Sequence, residues 1–396
     1  MKPVIRAALL LVPVISILAA CGGGGDGGSS NTASNGTLQV SMTDAPACGF
    51  DHVFVTVSKV RVNASSTAAD TDGGWTDIAM ASPQTIDLLS LTNGVLADLG
   101  RAPLPAGQYQ QIRLVLVPNQ GNTPANSVVV TGTTAQQPLD TPSATQSGFK
   151  IIQPFTVQPN TLVDLVLDFN ACKSIVQRGN GTFSLKPVVT AIPMVVSGAI
   201  AGNVPAAQAG SQVFAEQNGQ VIRGTVADAN GQFVLSPLVQ SSTNGTYDVV
   251  IVDNNTTQPN GHATGIIRSV PVTATQTTTI STAGAPITLP ASTTRTVSGT
   301  VTPSAQASLR ALQTIGSASF EITSTNANLD TGAYSLALPA AAPLVGTFGP
   351  PLPIVLTPAS SAVGQYSIQA ISAAGATQTT VVNVAAGSQS NVNFNF

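Results

Sequence analysis

Charge is scarce in this chain. Asp, Glu, Lys and Arg make up 8% of its 396 residues, and aromatic residues another 4%. Its 14 basic residues are scattered among 17 acidic ones, so no basic stripe exists to neutralise a run of phosphates, and nucleic acid is excluded as a partner. Only two histidines are present, His52 and His262, and no HExxH or CxxC spacing occurs. A catalytic zinc needs three protein ligands, commonly including several His, so hydrolytic zinc chemistry is not expected. The GxSxG nucleophile elbow is also missing. His52 stands beside Asp51, and a base paired with a carboxylate can assist a nucleophile. No Ser or Cys is tied to it by motif, so it reads as a solvated residue at a strand edge. Long stretches with apolar residues at i, i+3, i+4 and i+7 are lacking too, which removes helices as the main building material.

What fills the chain instead is Thr, Ser, Val, Gly and Pro, a composition suited to short strands joined by turns. Leu38, Val40 and Met42 alternate with polar residues, as do Val53, Val55 and Val57. After Val57 the phase slips to Val60 and Val62, which predicts a β-bulge near Ser58 and Lys59; without one, the apolar side would turn outward. Tyr109–Val117 and Thr161–Phe169 read as further strands, the second with Val163, Leu165, Leu167 and Phe169 on one face and Asp164 and Asp168 on the other. A short helical turn is expected within residues 85–100.

Residues 1–36 have a different character. Lys2 and Arg6 precede an apolar stretch of 14 residues, Ala7 to Ala20, that is too short for a permanent membrane helix and ends in Leu18-Ala19-Ala20-Cys21. This resembles the lipobox of bacterial lipoproteins. The resemblance implies cleavage before Cys21, lipid on its thiol and acylation of the new amino terminus. The competing reading is an ordinary secreted protein. Gly22 to Gly36 is a Gly/Ser/Asn/Thr tether that cannot bury enough apolar surface to fold. Gly22, Gly24 and Gly27 formally match GxGxxG, but no strand precedes them and no helix follows, so no nucleotide site is expected. Among lipoproteins of diderm bacteria, Gly22 in place of Asp after the lipidated Cys implies the outer membrane. With Cys21 set aside, Cys48 and Cys172 remain as a pair in an oxidising compartment, and a disulfide between them is the default expectation. Two buried free thiols are the alternative.

Three motifs resemble one bacterial lipoprotein domain, the domain-of-unknown-function family 4382. They are Thr43-Asp44-Ala45-Pro46, Leu104-Pro105-Ala106-Gly107-Gln108-Tyr109 leading into Ile112-Arg113-Leu114, and Phe183-Ser184-Leu185-Lys186-Pro187. The resemblance covers about 150 residues and implies a β-sandwich, with no established activity. Farther on, Val196-Ser197-Gly198 recurs as Val297-Ser298-Gly299, and Asn230-Gly231-Gln232-Phe233 recurs as Thr331-Gly332-Ala333-Tyr334. Both recurrences have the same offset, as an internal repeat requires. Gly245-Thr246-Tyr247 and Gly364-Gln365-Tyr366 are spaced more widely, so the second copy carries an insertion. These units resemble carboxypeptidase-regulatory-like, transthyretin-type β-sandwiches, a family of spacers and binding modules more often than catalysts. In the insertion, the proline-rich stretch from Pro339 to Pro358 carries Leu344, Val345, Phe348, Leu352 and Ile354. It reads as an apolar loop that caps a domain end and cannot join a central strand, with partner contact as the second reading.

Candidate sites are few. Calcium is the one metal to consider, on Asp44 with Asp51 or on the Asp70-Thr71-Asp72-Gly73-Gly74 turn, although Trp75 and Ala81 stand where an EF-hand needs Gly and Glu. Asp-Gly runs between strands are mostly turns, and Asp44 reads as an Asx-type cap before Pro46. Asp164 and Asp168, four residues apart on one strand, are roughly 13 Å apart and do not form a glycosidase pair; no burial signal raises their pKa values. Trp75, the sole tryptophan, is the best platform for a sugar ring, against the alternative that it covers a sandwich core. The expected organisation is all-β: a leader at 1–20, a lipidated Cys21 and tether at 21–36, a family 4382-like β-sandwich domain at 37–195, and tandem Ig/transthyretin-like β-sandwiches at 196–290 and 296–396. The expected function is non-catalytic, a lipid-anchored envelope protein presenting binding or scaffold modules, with no cofactor besides its covalent lipid. A membrane leaflet is the expected partner, with an envelope protein or polysaccharide as ligand. A carbohydrate-binding lipoprotein is the rival reading.

Overall fold

Alternating apolar residues in a chain short of helix formers leave the backbone one way to satisfy its polar groups, by pairing strands, and the fold is nearly all β. The structure, a computed structural model, describes residues 35–45, 49–121, 123–186, 188–253, 261–304 and 306–396. The leader, Cys21, most of the tether and Cys48 lie outside the described residues.

Residues 35–193 form a sandwich. One sheet is ordered Val189–Pro193, Leu162–Asn170, Asn35–Ala45 and Ala97–Pro105; Asn35–Ala45 runs parallel to Leu162–Asn170 and antiparallel to Ala97–Pro105. The facing sheet is built around the 14-residue strand Phe50–Asn63. The phase slip read from the sequence is a bulge here. The register shifts between Val57 and Lys59 against both neighbouring strands, so Val53, Val55, Val57, Val60 and Val62 all enter the core. The short helical turn is the 3-10 segment Leu88–Ser90, capped by the Asp87 carboxylate. The tether ends earlier than the sequence suggested: Asn35 and Gly36 already pair with Pro105 and Leu104. Gly36 passes so close to residue 158 that a Cβ would lie 2.4 Å from its carbonyl oxygen.

The two copies of the repeat superpose in their logic. Ser197–Asn203 pairs with Gln232–Val239, and Thr294–Thr302 pairs with Ala333–Pro339. At the turns that lead into Gln232–Val239 and Ala333–Pro339 from the opposite sheet, Gly231 and Gly332 adopt positive φ, +78° and +68°. A Cβ on either would sit about 2 Å from the carbonyl oxygen of Val204 or Val301. Phe233 and Tyr334 follow and are buried.

The insertion in the second copy corrects the reading of a loop barred from the sheet. Leu344–Thr347 is a strand parallel to Gly265–Val270 of the preceding sandwich, and Thr357–Pro358 pairs with it in turn. The prolines flank this strand rather than interrupt it, so its N–H groups remain available. Leu344 and Phe348 donate theirs to the carbonyls of Thr264 and Arg268. Phe348, Ile354 and Leu356 pack against the core of residues 200–289. The segment is therefore a strap that caps the neighbouring sandwich.

Hydrophobic burial runs across the module boundary as well. Val250, Val252 and Ile266 of the middle sandwich belong to the cluster formed by Val297 to Phe394, while Val249, Ile251 and Ile267 face their own core. The middle sheet is thus buried on both faces.

Candidate functional site

The sequence-nominated residues do not converge. Asp44 is buried and its Oδ1 accepts the backbone N–H of Ala171, 3.0 Å away, at the start of a remote helical turn, Ala171–Ser174, while its own loop at 46–48 lies outside the described residues. Asp51 is exposed and accepts the N–H of Gly132. Asp72 accepts the N–H of Ala69 and closes a tight turn ending at Gly74, φ +82°. No group of three or more His, Cys, Asp or Glu able to hold a metal occurs among the described residues. Cys172 is disulfide-bonded.

Trp75 is half-buried and engaged. Its Nε1 donates to the Ala69 carbonyl at 2.9 Å, and the guanidinium groups of Arg61 and Arg113, paired across adjacent strands, lie 5.1 and 5.0 Å from its ring centroid. Arg113 also donates to the carbonyls of Ala68 and Ser147. The indole and two arginines thus clamp the 64–75 loop onto the sheet. Asp77 completes the cluster; burial works against its carboxylate, but hydrogen bonds from Lys59 and Arg61 prevail and hold it below the usual range.

His52 is half-exposed, as its strand-edge position suggested, but its partner is Asp87 at 2.7 Å rather than Asp51. His262 pairs with Asp253.

The polar groups with perturbed environments gather where the sandwiches meet. Asp168, expected on an open face, is buried because the strand Gln220–Val226 brings Arg223 over it. The Arg223 guanidinium bonds the Asp168 carboxylate, the Thr43 hydroxyl and the Asp44 carbonyl. Burial pushes the Asp168 carboxyl up while Arg223 pulls it back, correcting the expectation of an unperturbed group. Asp164 is raised as well, by burial and then by the charge of Asp98. Beside them Asn93, at φ +55°, exchanges hydrogen bonds with Thr225 and accepts the N–H of Val234.

A second junction joins all three sandwiches. The chain has two glutamates, Glu216 and Glu321, and both are buried here. The Glu321 N–H donates to the Glu216 carboxylate at 3.0 Å. Glu321 in turn accepts Lys173 Nζ at 3.0 Å and Arg310 Nη1 at 3.4 Å. Burial, aided by the charges of Glu321 and Asp248, raises the Glu216 carboxyl well above its ordinary value. Asn326 donates to the carbonyls of Lys173 and Ile175, and Asp330 accepts the N–H of Gly179. Lys173, Lys186 and Arg310 line a partly open cavity of about 170 Å3 at this junction. Sequence reading missed both junctions. The available signal was an ionisable residue set inside an apolar alternation, as in Val213-Phe214-Ala215-Glu216 and Phe320-Glu321-Ile322.

Residues 35–187 match the family model described as "Domain of unknown function (DUF4382)". No curated protein matches the chain. Among solved structures, one titled "Crystal structure of tetra-tandem repeat in extending region of large adhesion protein" aligns over 89% of this chain and 99% of its own, at 12% identity and a TM-score of 0.12. That score is too low to bear on fold or function.

Proposed function

We propose that the chain is a non-catalytic lipoprotein of the bacterial envelope, held on a leaflet through Cys21, whose sandwiches act as one stiff presenting body. Its working surface faces an envelope protein or polysaccharide in the periplasm or at the cell exterior, and the outer membrane is the expected leaflet. The second and third sandwiches serve as regulatory-like spacers, and a Cys48–Cys172 bond closes the first. The observation that supports this reading is the use made of ionisable groups withdrawn from solvent. Asp168, Arg223, Glu216, Glu321 and Arg310 are spent on joining sandwich to sandwich. Such joints suit a body that transmits position or load, because breaking a buried pair leaves an uncompensated charge.

The test has two arms. Metabolic labelling with an alkyne palmitate analogue is expected to mark the wild-type chain and to leave Cys21→Ala unlabelled and released from membranes. Protease treatment of intact cells then distinguishes surface display, read as loss of the β body, from a periplasmic position, read as protection. An unlabelled wild-type chain found free in culture fluid refutes the anchor.

A further inference from the structure

The cavity at the three-way junction has the composition of a ligand site. Its lining includes Lys173 and Lys186 from the first sandwich, Gln220 from the second, and Ser308, Arg310 and Ser324 from the third. Three cations therefore face a space with a single lining carboxylate, Glu321, and that carboxylate is shared between Lys173 and Arg310. Among the described residues Lys186 has no carboxylate partner; its Nζ meets one acceptor, the Gln306 carbonyl at 3.3 Å, and burial lowers its affinity for the proton. Glu216, which accepts the Glu321 N–H, is itself biased towards its neutral form by burial. Arg310 spends Nε on Gln369 and Nη1 on Gly219 and Glu321, and its Nη2 makes no hydrogen bond among the described residues. The hydroxyls of Ser308 and Ser324 and the amide of Gln220 likewise make no hydrogen bond among the described residues.

We infer that this cavity binds a small hydroxylated carboxylate, in chemical class a single uronic acid residue. The carboxylate would meet the unspent donors of Lys186 and Arg310, as charge-assisted hydrogen bonds favour, and the ring hydroxyls would meet Ser308, Ser324 and Gln220. At about 170 Å3 the space is smaller than the roughly 300–1,000 Å3 of sites for drug-sized ligands. It accommodates one ring, with any attached chain leaving through the open side. Because the lining comes from three sandwiches, an occupant adds cross-links between them and stabilises the assembled body. The inference does not depend on Cys21 or on Trp75, so it stands or falls separately from the anchoring proposal.

The experiment is calorimetric titration of the full chain, purified in detergent, with sodium D-glucuronate, D-glucose and sodium acetate. Glucuronate is expected to bind saturably at one site, acetate more weakly and glucose not at all. Lys186→Gln should lose at least about tenfold in glucuronate affinity, and Lys186→Arg should recover it. The thermal midpoint of the wild type should rise with glucuronate, and that of Lys186→Gln should not. Absence of saturable glucuronate binding, equal binding of glucose, or an unchanged affinity in Lys186→Gln overturns the inference.

Discussion

Replacing Arg223 with Leu should be the most damaging single change at the junction of the first two sandwiches, and its cost should depend on pH. Arg223 and Asp168 are both almost fully buried, with side-chain exposures of 2% and 8%. Removing one partner of such a pair typically costs about 3–5 kcal/mol, because the other keeps its charge without compensation. Asp168 has one escape, which is to take up a proton. From an ordinary value of 3.8, protonation at pH 7.5 costs about 5 kcal/mol, and at pH 5 only about 1.6 kcal/mol. The protonation route therefore sets a ceiling that falls with pH. Arg223→Leu should lose about 3–5 kcal/mol at pH 7.5 and less than about 2 kcal/mol at pH 5 from this source. Urea unfolding followed by the fluorescence of Trp75, the sole tryptophan, reports the first sandwich; far-UV circular dichroism reports all three. In Arg223→Leu the two signals should separate, and adding Asp168→Leu should recover much of the loss. A loss below about 1 kcal/mol at pH 7.5, or one identical at both pH values, refutes the reasoning.

At the second junction Glu216→Gln should flatten the pH dependence of stability. Because the folded value is raised, the carboxyl stabilises fully below its unfolded value near 4.5 and loses that contribution as pH climbs towards the folded value. The thermal midpoint of the variant should match wild type near pH 4.5 and exceed it increasingly up to pH 8; parallel curves would count against a strained carboxyl. Phe348→Ala, in the strap, should cost about 2 kcal/mol, roughly half the loss for a fully buried Phe, seen as a lower urea midpoint for the circular dichroism signal and little change in Trp75 fluorescence. Trp75→Ala should destabilise the first sandwich by about 1–2 kcal/mol by unclamping its loop while leaving retention on polysaccharide columns unchanged; lost retention at constant stability would restore the sugar platform. Calcium chelation should leave the thermal midpoint unmoved, since Asp44, Asp51 and Asp72 already accept backbone N–H groups; a drop of several degrees would reveal an ion site.

Local patterns in the sequence carried the fold further than the site. The phase change after Val57 announced the bulge because a strand with one buried face tolerates no slip. The Gly231 and Gly332 turns were legible as a recurring motif because positive φ leaves few residues to choose from. Asp168 was misread because alternation assigns a residue to a face, whereas what covers that face comes from a strand some fifty residues later. The same blindness hid the strap, whose four residues between prolines look irregular until Gly265–Val270 supplies a partner. One signal went unused. The run Val249-Val250-Ile251-Val252 is apolar without alternation, the mark of a strand buried on both faces, and it foretold that the middle sheet would be sandwiched by a neighbour.

The strap also imposes an order of events on a chain made from its amino end. Gly265–Val270 leaves the ribosome more than seventy residues before Leu344–Thr347, a delay of about 4–15 seconds at usual elongation rates. Throughout that interval the middle sheet has a bare edge, and the face carrying Val250, Val252 and Ile266 is without most of its cover. A truncated product ending between the two segments should therefore be the species that chaperones and proteases engage, and the last third of the polypeptide acts as the closing step in maturation of the part before it.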